Sequence, residues 1–185
     1  GVLAHPANAD HPLPIVFTGP SSSRSYFEAL DQFIRGTLGD DFAAKYQIII
    51  DDPGAVGTTI RQAVDGVLRY RNAIDDAPYF NWSLVVDKTF QQPFLASHEA
   101  MARLELSSQL PRHELACNLR QAFSGVVAGN VKEQGIEAVE LHGPFALHAD
   151  AKIAEALDTL LRSFVAEGRM RLPGQGYTPC YRVVT

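Results

Sequence analysis

The sequence predicts an α/β protein in which one edge of a parallel sheet is followed by a mostly helical α+β domain. In the first half, two short apolar runs each lead into a helical pattern, and strand–helix alternation of this kind builds parallel sheets. Near residue 75 this alternation breaks, and longer helical patterns take over. We therefore predict two domains, residues 1–74 and residues 75–185.

The first strand–helix unit begins with LPIVFTG at residues 13–19, whose apolar and β-branched side chains are typical of a strand buried on both faces. A helical pattern follows, in which Ser25 and Glu28 have the spacing of a capping box. Gly36 and Gly39 are expected to end this helix, because glycine is common at helix C-termini.

The second unit repeats this plan with a strand at residues 46–50 and Asp52 as the N-cap of a helix that starts with proline. Apolar residues then recur at helical spacing over residues 56–68, which predicts a helix. The helix start, PGAVGTT, is similar to a phosphate-binding turn. We predict no phosphate site there, because Asp51 and Asp52 would repel the anion.

The second half contains further elements in a less regular order. Alternating apolar residues predict a strand over residues 79–86, and Ser97 is placed to cap a helix. A short strand at residues 145–149, a long helix capped by Asp150 and a strand at the C-terminal YRVVT complete the prediction.

The central helical pattern contains the most unusual stretch of the chain, RQAFSGVVAGNVKEQG at residues 120–135. Its apolar stripe predicts burial, yet Gly125 and Gly129 interrupt it, and each interior glycine costs about 1 kcal/mol relative to alanine. Two explanations stay open: close packing, or a ligand or partner subunit against the glycine face. In the second case Asn130 and Lys132 lie at the edge of the contact and are candidate binding residues.

The end of the first predicted strand is another candidate site. Thr18 and Gly19 stand where the strand ends, and ligands of open α/β sheets bind at the carboxyl ends of strands. The serines at positions 21–23 have hydroxyl groups that suit an anion, although ordinary helix capping explains them equally well.

Ser97, His98 and Glu99 form a third candidate, since a histidine beside a carboxylate can act in acid–base chemistry near neutral pH. Adjacent residues on a helix do not face one another, so a relay between His98 and Glu99 would need a loop. A plain helix start is the alternative.

Composition excludes several classes of protein. Sixteen Lys and Arg against 21 Asp and Glu give a net charge of -5, and no basic run is long enough to bind nucleic acid. The sequence has no apolar run of membrane-spanning length and no histidine or cysteine spacing typical of a metal site. Two cysteines without a secretory signal predict a reduced, cytoplasmic setting.

Several blocks closely resemble, in order, the C-terminal portion of bacterial pyrimidine/purine nucleotide 5′-monophosphate nucleosidases, which carry a LONELY GUY type, lysine-decarboxylase-like Rossmann core. The blocks are IIIDDP, FNWS, PFLASHEAM, RQAFSGVVAGNVKEQGI, RMRLPG and PCY. The resemblance covers nearly the whole chain and implies that residues 1–74 are the last part of a Rossmann-like nucleotide-binding core. Gly1 opens the chain without a methionine, which fits a fragment of a longer protein.

The resemblance implies hydrolysis of the N-glycosidic bond of nucleoside 5′-monophosphates to a free base and ribose 5-phosphate, without a cofactor. It also implies a homo-oligomer, either a dimer or a tetramer, and regulation by guanosine tetra- or pentaphosphate. A non-catalytic nucleotide-binding or oligomerisation module is the alternative hypothesis. The residues expected to contact substrate are Thr18, Gly19, Ser97, His98, Glu99, Asn130 and Lys132.

We assign no catalytic residue to this chain. The family's catalytic motif, P-G-G-x-G-T followed by a glutamate, is imitated by PGAVGTT, but Ala55 replaces the second glycine and Arg61 stands where the glutamate belongs. The 185-residue chain alone is therefore expected to be inactive. A decarboxylase activity, which the older family label suggests, would need pyridoxal phosphate on a lysine, and nothing marks a lysine for that role.

Overall fold

The computed structural model describes residues 1–75, 84–170, 172 and 176–184. The strands in these ranges form two parallel sheets, which confirms the predicted α/β class. The first sheet pairs β1 (Val16–Gly19) with β2 (Gln47–Ile50). The second has the order β3–β4–β5 and consists of β3 (Glu105–Leu106), β4 (Phe145–Ala149) and β5 (Tyr181–Val184).

Seven α-helices in the described part of the chain connect consecutive strands. They are α1 (Arg24–Leu38), α2 (Pro53–Ala73), α3 (Lys88–Gln91), α4 (His98–Ala102), α5 (Arg112–Val131), α6 (Glu133–His142) and α7 (Ala151–Ala166). Because parallel strands need a crossover connection, α5 with α6 joins β3 to β4, and α7 joins β4 to β5.

The predicted start of α2 is confirmed. Asp52 is its N-cap, and the carboxylate Oδ1 accepts a hydrogen bond of 2.8 Å from the backbone N–H of Ala55. Pro53 occupies the first turn, where its missing N–H costs nothing. The glycines of PGAVGTT therefore lie inside the first turns of a helix.

The apolar stripe of α2 is exposed. No residue of this helix is buried, and Ile60, Val64 and Leu68 on its apolar stripe are 39%, 46% and 49% exposed. In the described part of the chain the first sheet has two strands, so it gives this stripe no complete second layer.

The first helix departs from its predicted ends. α1 begins at Arg24 after a 3-10 turn, so Ser25 lies inside the helix and the predicted capping box was wrong. The Ser25 hydroxyl instead donates a hydrogen bond to Glu167, which lowers the pKa of that carboxyl. The helix continues through Gly36 and ends at Gly39, whose φ of 104° suits glycine.

The last elements form where they were predicted. Ser97 caps α4, β4 covers residues 145–149, α7 follows Asp150, and β5 ends the described chain. Residues 79–83 of the predicted middle strand lie outside the described residues. The remaining part, residues 84–86, forms a loop without strand pairing.

One hydrophobic core includes residues from both halves of the chain. β4 contributes Phe145 and Leu147, and α7 contributes Leu157 and Leu161, all of which are buried. Phe33 of α1 belongs to the same core, because α1 packs along α7. These contacts cross the proposed boundary between residues 74 and 75, and the division into two domains stays a prediction.

Asp150 is the N-cap residue of α7, but its carboxylate binds elsewhere. It accepts hydrogen bonds from the backbone N–H of Ser108 at 2.6 Å and from the Ser108 hydroxyl at 2.7 Å. These bonds lower the pKa of the Asp150 carboxyl. The ionised carboxylate therefore links the end of β3 to the start of α7.

This link predicts a pH-dependent contribution to stability. A depressed folded-state pKa gives stability that is present above the unfolded-state pKa and is lost as the pH falls through the folded-state value. We expect Asp150→Asn to lower the urea midpoint at pH 7 and to have a smaller effect at about pH 3, below the usual pKa of aspartate. Urea titrations at both pH values test this, with Asp65→Asn on exposed α2 as the control. An effect of equal size at both pH values would contradict it.

Candidate functional site

The carboxyl ends of β1 and β2 form one polar edge. Thr18 is exposed there, and the carbonyl oxygen of Gly19 accepts a hydrogen bond of 2.9 Å from the backbone N–H of Asp51. The Ser21 hydroxyl donates to Asp51 Oδ2 at 2.6 Å. Asp51 has a φ of 60°, a left-handed conformation that aspartate adopts more readily than most residues.

Two neighbouring carboxylates, those of Asp51 and Asp52, dominate the charge at this edge. The Ser21 hydroxyl already donates to one of them, so it is not a free donor for a phosphate. Carboxylates accept hydrogen bonds from hydroxyl and amino groups, such as those of a ribose or a base. Thr18 and Gly19 stay predicted substrate contacts, and the structure adds Asp51 as a candidate acceptor beside them.

Ser97, His98 and Glu99 each have a structural partner. The Ser97 hydroxyl oxygen accepts a hydrogen bond of 3.0 Å from an N–H in the first turn of α4. His98 Nε2 lies 2.8 Å from the carbonyl oxygen of Gly143, while Glu99 forms an exposed ion pair with Arg103. The imidazole and the carboxylate therefore bind different groups, and they do not form a relay.

Gly125 and Gly129 face the interior of the fold. A Cβ added at Gly125 would lie 2.1 Å from Met101 Sδ, and one at Gly129 would lie 2.7 Å from Phe145 Cε2. Both neighbours belong to this chain, so close packing is the explanation that the structure supports. Substitution of Gly125 would therefore test core packing rather than a subunit contact.

Asn130 and Lys132 are not brought together. Asn130 is only 9% exposed, and its amide donates to the carbonyl oxygen of Val126 at 3.0 Å and to Cys180 Sγ at 3.3 Å. Burial raises the pKa of the Cys180 thiol to about 12, so the sulfur is neutral at physiological pH. Lys132, in contrast, is exposed at the kink between α5 and α6.

The outer side of α5 lines a cleft of about 860 Å³, which we call the α5–α6 cleft, between α5, the start of α6 and residues 93–96. Three aromatic rings, those of Phe94, Phe123 and Phe164, form part of its apolar lining. No carboxylate is among the described residues that line it, although the chain has a net charge of -5. Its polar side chains are Arg120, Ser124, Lys132 and Gln134.

Lys132 is the only residue of this cleft that the sequence-based site prediction included. One signal was available, since Ser124 and Ala128 are small residues at helical spacing and define a second narrow face beside the glycines. Phe94 and Phe164 lie on distant segments of the chain, and no local pattern indicates that they meet α5.

The described residues contain no group of three or more His, Cys, Asp or Glu side chains placed to hold a metal ion. Within the same ranges, no helix combines the length and the apolar character needed to cross a membrane. Cys117 and Cys180 are both buried free thiols.

The parallel strands define an α/β protein, and in open sheets of this class ligands bind at the carboxyl ends of strands. A comparison of sequences identifies the family within this class. Residues 64–184 match the family described as pyrimidine/purine nucleotide monophosphate nucleosidase, C-terminal, and the chain belongs to this family.

Whole-chain relatives support the same assignment. The pyrimidine/purine nucleotide 5′-monophosphate nucleosidases of Escherichia coli strains K12, O6:H1 and O157:H7 are each 46% identical to this chain over 185 residues. The match covers 100% of the chain but only 41% of the length of each relative.

Proposed function

We propose that this chain is the C-terminal section of a nucleosidase that hydrolyses the N-glycosidic bond of nucleoside 5′-monophosphates and releases a free base and ribose 5-phosphate. The observation that carries this proposal is the 46% identity to the E. coli nucleosidases along the entire chain. The proposal includes a LONELY GUY type Rossmann core, of which β1, α1, β2 and α2 form the last part.

Two features of the first half support its place in a larger core. Parallel sheets occur almost only with both faces covered and usually have more than two strands, whereas β1 and β2 form a two-stranded sheet. The apolar stripe of α2 is also exposed. Further strands and helices of the full-length protein would cover both the sheet and the helix.

The chemistry assigns different tasks to this chain and to the rest of the protein. Cleavage of a glycosidic bond passes through an oxocarbenium-like transition state, which a nearby carboxylate and a held water stabilise. In this proposal the catalytic carboxylate lies outside the chain, because PGAVGTT departs from the family's catalytic motif. The strand-end edge binds substrate: Asp51 accepts hydrogen bonds from ribose hydroxyls, and Ser21 holds that carboxylate in place.

The proposal also includes a cytoplasmic homo-oligomer, a dimer or tetramer, that needs no cofactor and responds to guanosine tetra- or pentaphosphate. These features rest on the family resemblance. Light scattering of the full-length protein, with and without the guanosine phosphates, measures the oligomer and any change in it. If the full-length protein is a monomer under all conditions, the proposed homo-oligomer is wrong.

The activity has a direct test. We expect the full-length protein to release ribose 5-phosphate from at least one of adenosine, guanosine, cytidine and uridine monophosphate, measured by chromatography of the products. The 185-residue chain alone is expected to release none. Nucleotide binding by the full-length protein without any ribose 5-phosphate would favour the non-catalytic module instead. Turnover by the short chain would show that the catalytic group lies within it.

The exposed stripe of α2 gives a second test. We expect Val64→Asp to destabilise the full-length protein by about 3 kcal/mol, because a buried unpaired carboxylate is costly. In the 185-residue chain, where Val64 is 46% exposed, the same change should alter stability by no more than about 0.5 kcal/mol. Thermal and urea unfolding of both proteins measure the difference.

Gln62→Asp is the matched control, since it adds the same charge at an exposed polar position of the same helix. It should be close to neutral in both proteins. If Val64→Asp is also neutral in the full-length protein, α2 is not covered there, and the proposed position of β1 and β2 at the edge of a larger core is wrong.

A further inference from the structure

The α5–α6 cleft has the size and lining of a ligand site. Small-molecule pockets typically have volumes of about 300–1,000 Å³ and are mostly apolar with a few polar groups. The cleft, at about 860 Å³, lies in this range and combines the rings of Phe94, Phe123 and Phe164 with four polar side chains. Phe123 and Phe164 stack on each other with centroids 6.3 Å apart, and such aromatic surfaces favour a planar ligand.

The charge of the cleft favours an anion. Arg120 and Lys132 are its two cations, and no carboxylate belongs to its described lining. Within the described ranges Lys132 makes neither an ion pair nor a side-chain hydrogen bond, so its ammonium group is free to bind a ligand. Lys132 also lies directly before α6, whose first N–H groups add positive potential at the same end.

Arg120 adds a second positive charge to the cleft. Its Nη2 donates to the carbonyl oxygens of Thr89 and Gln92, which fixes the guanidinium group. Its Nε, however, is buried and has no hydrogen-bond partner in the described part of the chain. The guanidinium group also lies 5.5 Å from the centroid of the Phe90 ring, so Arg120 contributes a fixed positive charge to the cleft.

We propose that the α5–α6 cleft binds an aromatic organic anion, with the planar ring among the phenylalanines and the anionic group at Lys132. Arg120 and Lys132 are separated by about 18 Å along the helix, from the helical rise. Both side chains line the cleft, and the proposed ligand binds at the Lys132 end. The choice of a nucleoside monophosphate as the probe rests on the proposed function.

A fluorescent label at the rim of the cleft tests this proposal in the full-length protein. Leu95 is 81% exposed and lines the cleft, so Leu95→Cys accepts a label, whereas Cys117 and Cys180 are buried. The unsubstituted protein, treated with the same reagent, is the blank. The probe is formycin 5′-monophosphate, an adenosine monophosphate analogue whose carbon–carbon glycosidic bond is not consumed by hydrolysis.

We expect a saturable change in fluorescence with this probe, and binding at least about tenfold weaker with formycin or with inorganic phosphate, since each lacks one half of the ligand. Lys132→Glu should also weaken binding about tenfold or more, because it removes a charge-assisted contact. Lys152→Glu, an equal charge change at an exposed position outside the cleft, should leave binding unchanged. Val127→Trp should block the cleft, with Val183→Trp on β5 as its control.

Several results would overturn the inference. The first is the absence of a saturable change in fluorescence, and the second is equal binding by Lys132→Glu and Lys152→Glu. The third is a fluorescence change that depends on protein concentration without any ligand. The last result would assign the cleft to a contact between subunits. Release of ribose 5-phosphate from adenosine monophosphate by the unlabelled protein is measured separately. If ribose 5-phosphate is released but the label fluorescence does not change, only the proposed ligand site in the cleft is wrong. If the fluorescence changes but no ribose 5-phosphate is released, only the proposed activity is wrong.

Discussion

Gly135→Ala is expected to destabilise the fold by about 3 kcal/mol, the upper end of the usual cost of overpacking. An added Cβ would lie 2.1 Å from the carbonyl oxygen of Ala128 and 2.5 Å from its carbonyl carbon. These are backbone atoms of α5, which cannot rotate away as a side chain can. The chain turns at Lys132, and α6 approaches the backbone of α5 closely at residue 135, which has no side chain.

Urea unfolding followed by circular dichroism measures this effect. Gly36→Ala in α1 is the control, because nothing lies within 4 Å of its added Cβ, and it should stabilise the protein by about 0.5–1 kcal/mol through helix propensity. Gly125→Ala should fall between the two, since its nearest neighbour, Met101 Sδ, is a side-chain atom that can move. If Gly135→Ala behaves like Gly36→Ala, the close contact between α5 and α6 is wrong.

The sequence predicted those elements whose determinants are local. Asp52 and the proline after it specify the start of α2, and the pattern of residues 145–166 specifies a strand and a helix. Local signals can also mislead when two of them compete. Ser25 has the spacing of a capping box, but the turn at Ser21–Ser23 starts the helix before it.

The candidate site was predicted less completely, because its contacts join distant segments. The pattern of Gly125 and Gly129 indicated a close approach but not its direction, and Met101 and Phe145 proved to be the neighbours. The cleft lies on the adjacent face of the same helix. Spacing along α5 defines both faces equally well, and only the packing of other elements decides which face is filled and which is open.

Asn8 shows a long-range contact with no local signal at all. It ends a short 3-10 segment, Pro6–Asn8, and is fully buried against an earlier one, Val2–Ala4, and a loop 77 residues later in the chain. Its amide donates to the carbonyl oxygens of Val2 and Val85, each at 2.7 Å, and its Oδ1 accepts from the backbone N–H of Val85 at 2.8 Å. One side chain thus joins the first residues of the chain to the segment beyond residue 83.

Asn8→Ala is expected to destabilise the protein by about 3 kcal/mol, because it removes three part-buried hydrogen bonds to backbone groups, each worth about 1 kcal/mol. Asn118→Ala is the matched control: Asn118 makes one such bond, of 2.8 Å to the carbonyl oxygen of Glu105, and its loss should cost about 1 kcal/mol. Hydrogen exchange adds a local readout, since the amide of Val85 should lose protection in Asn8→Ala but not in Asn118→Ala. If Asn8→Ala costs no more than the control and Val85 stays protected, Asn8 does not join the two segments, and the N-terminal turns are held by packing alone.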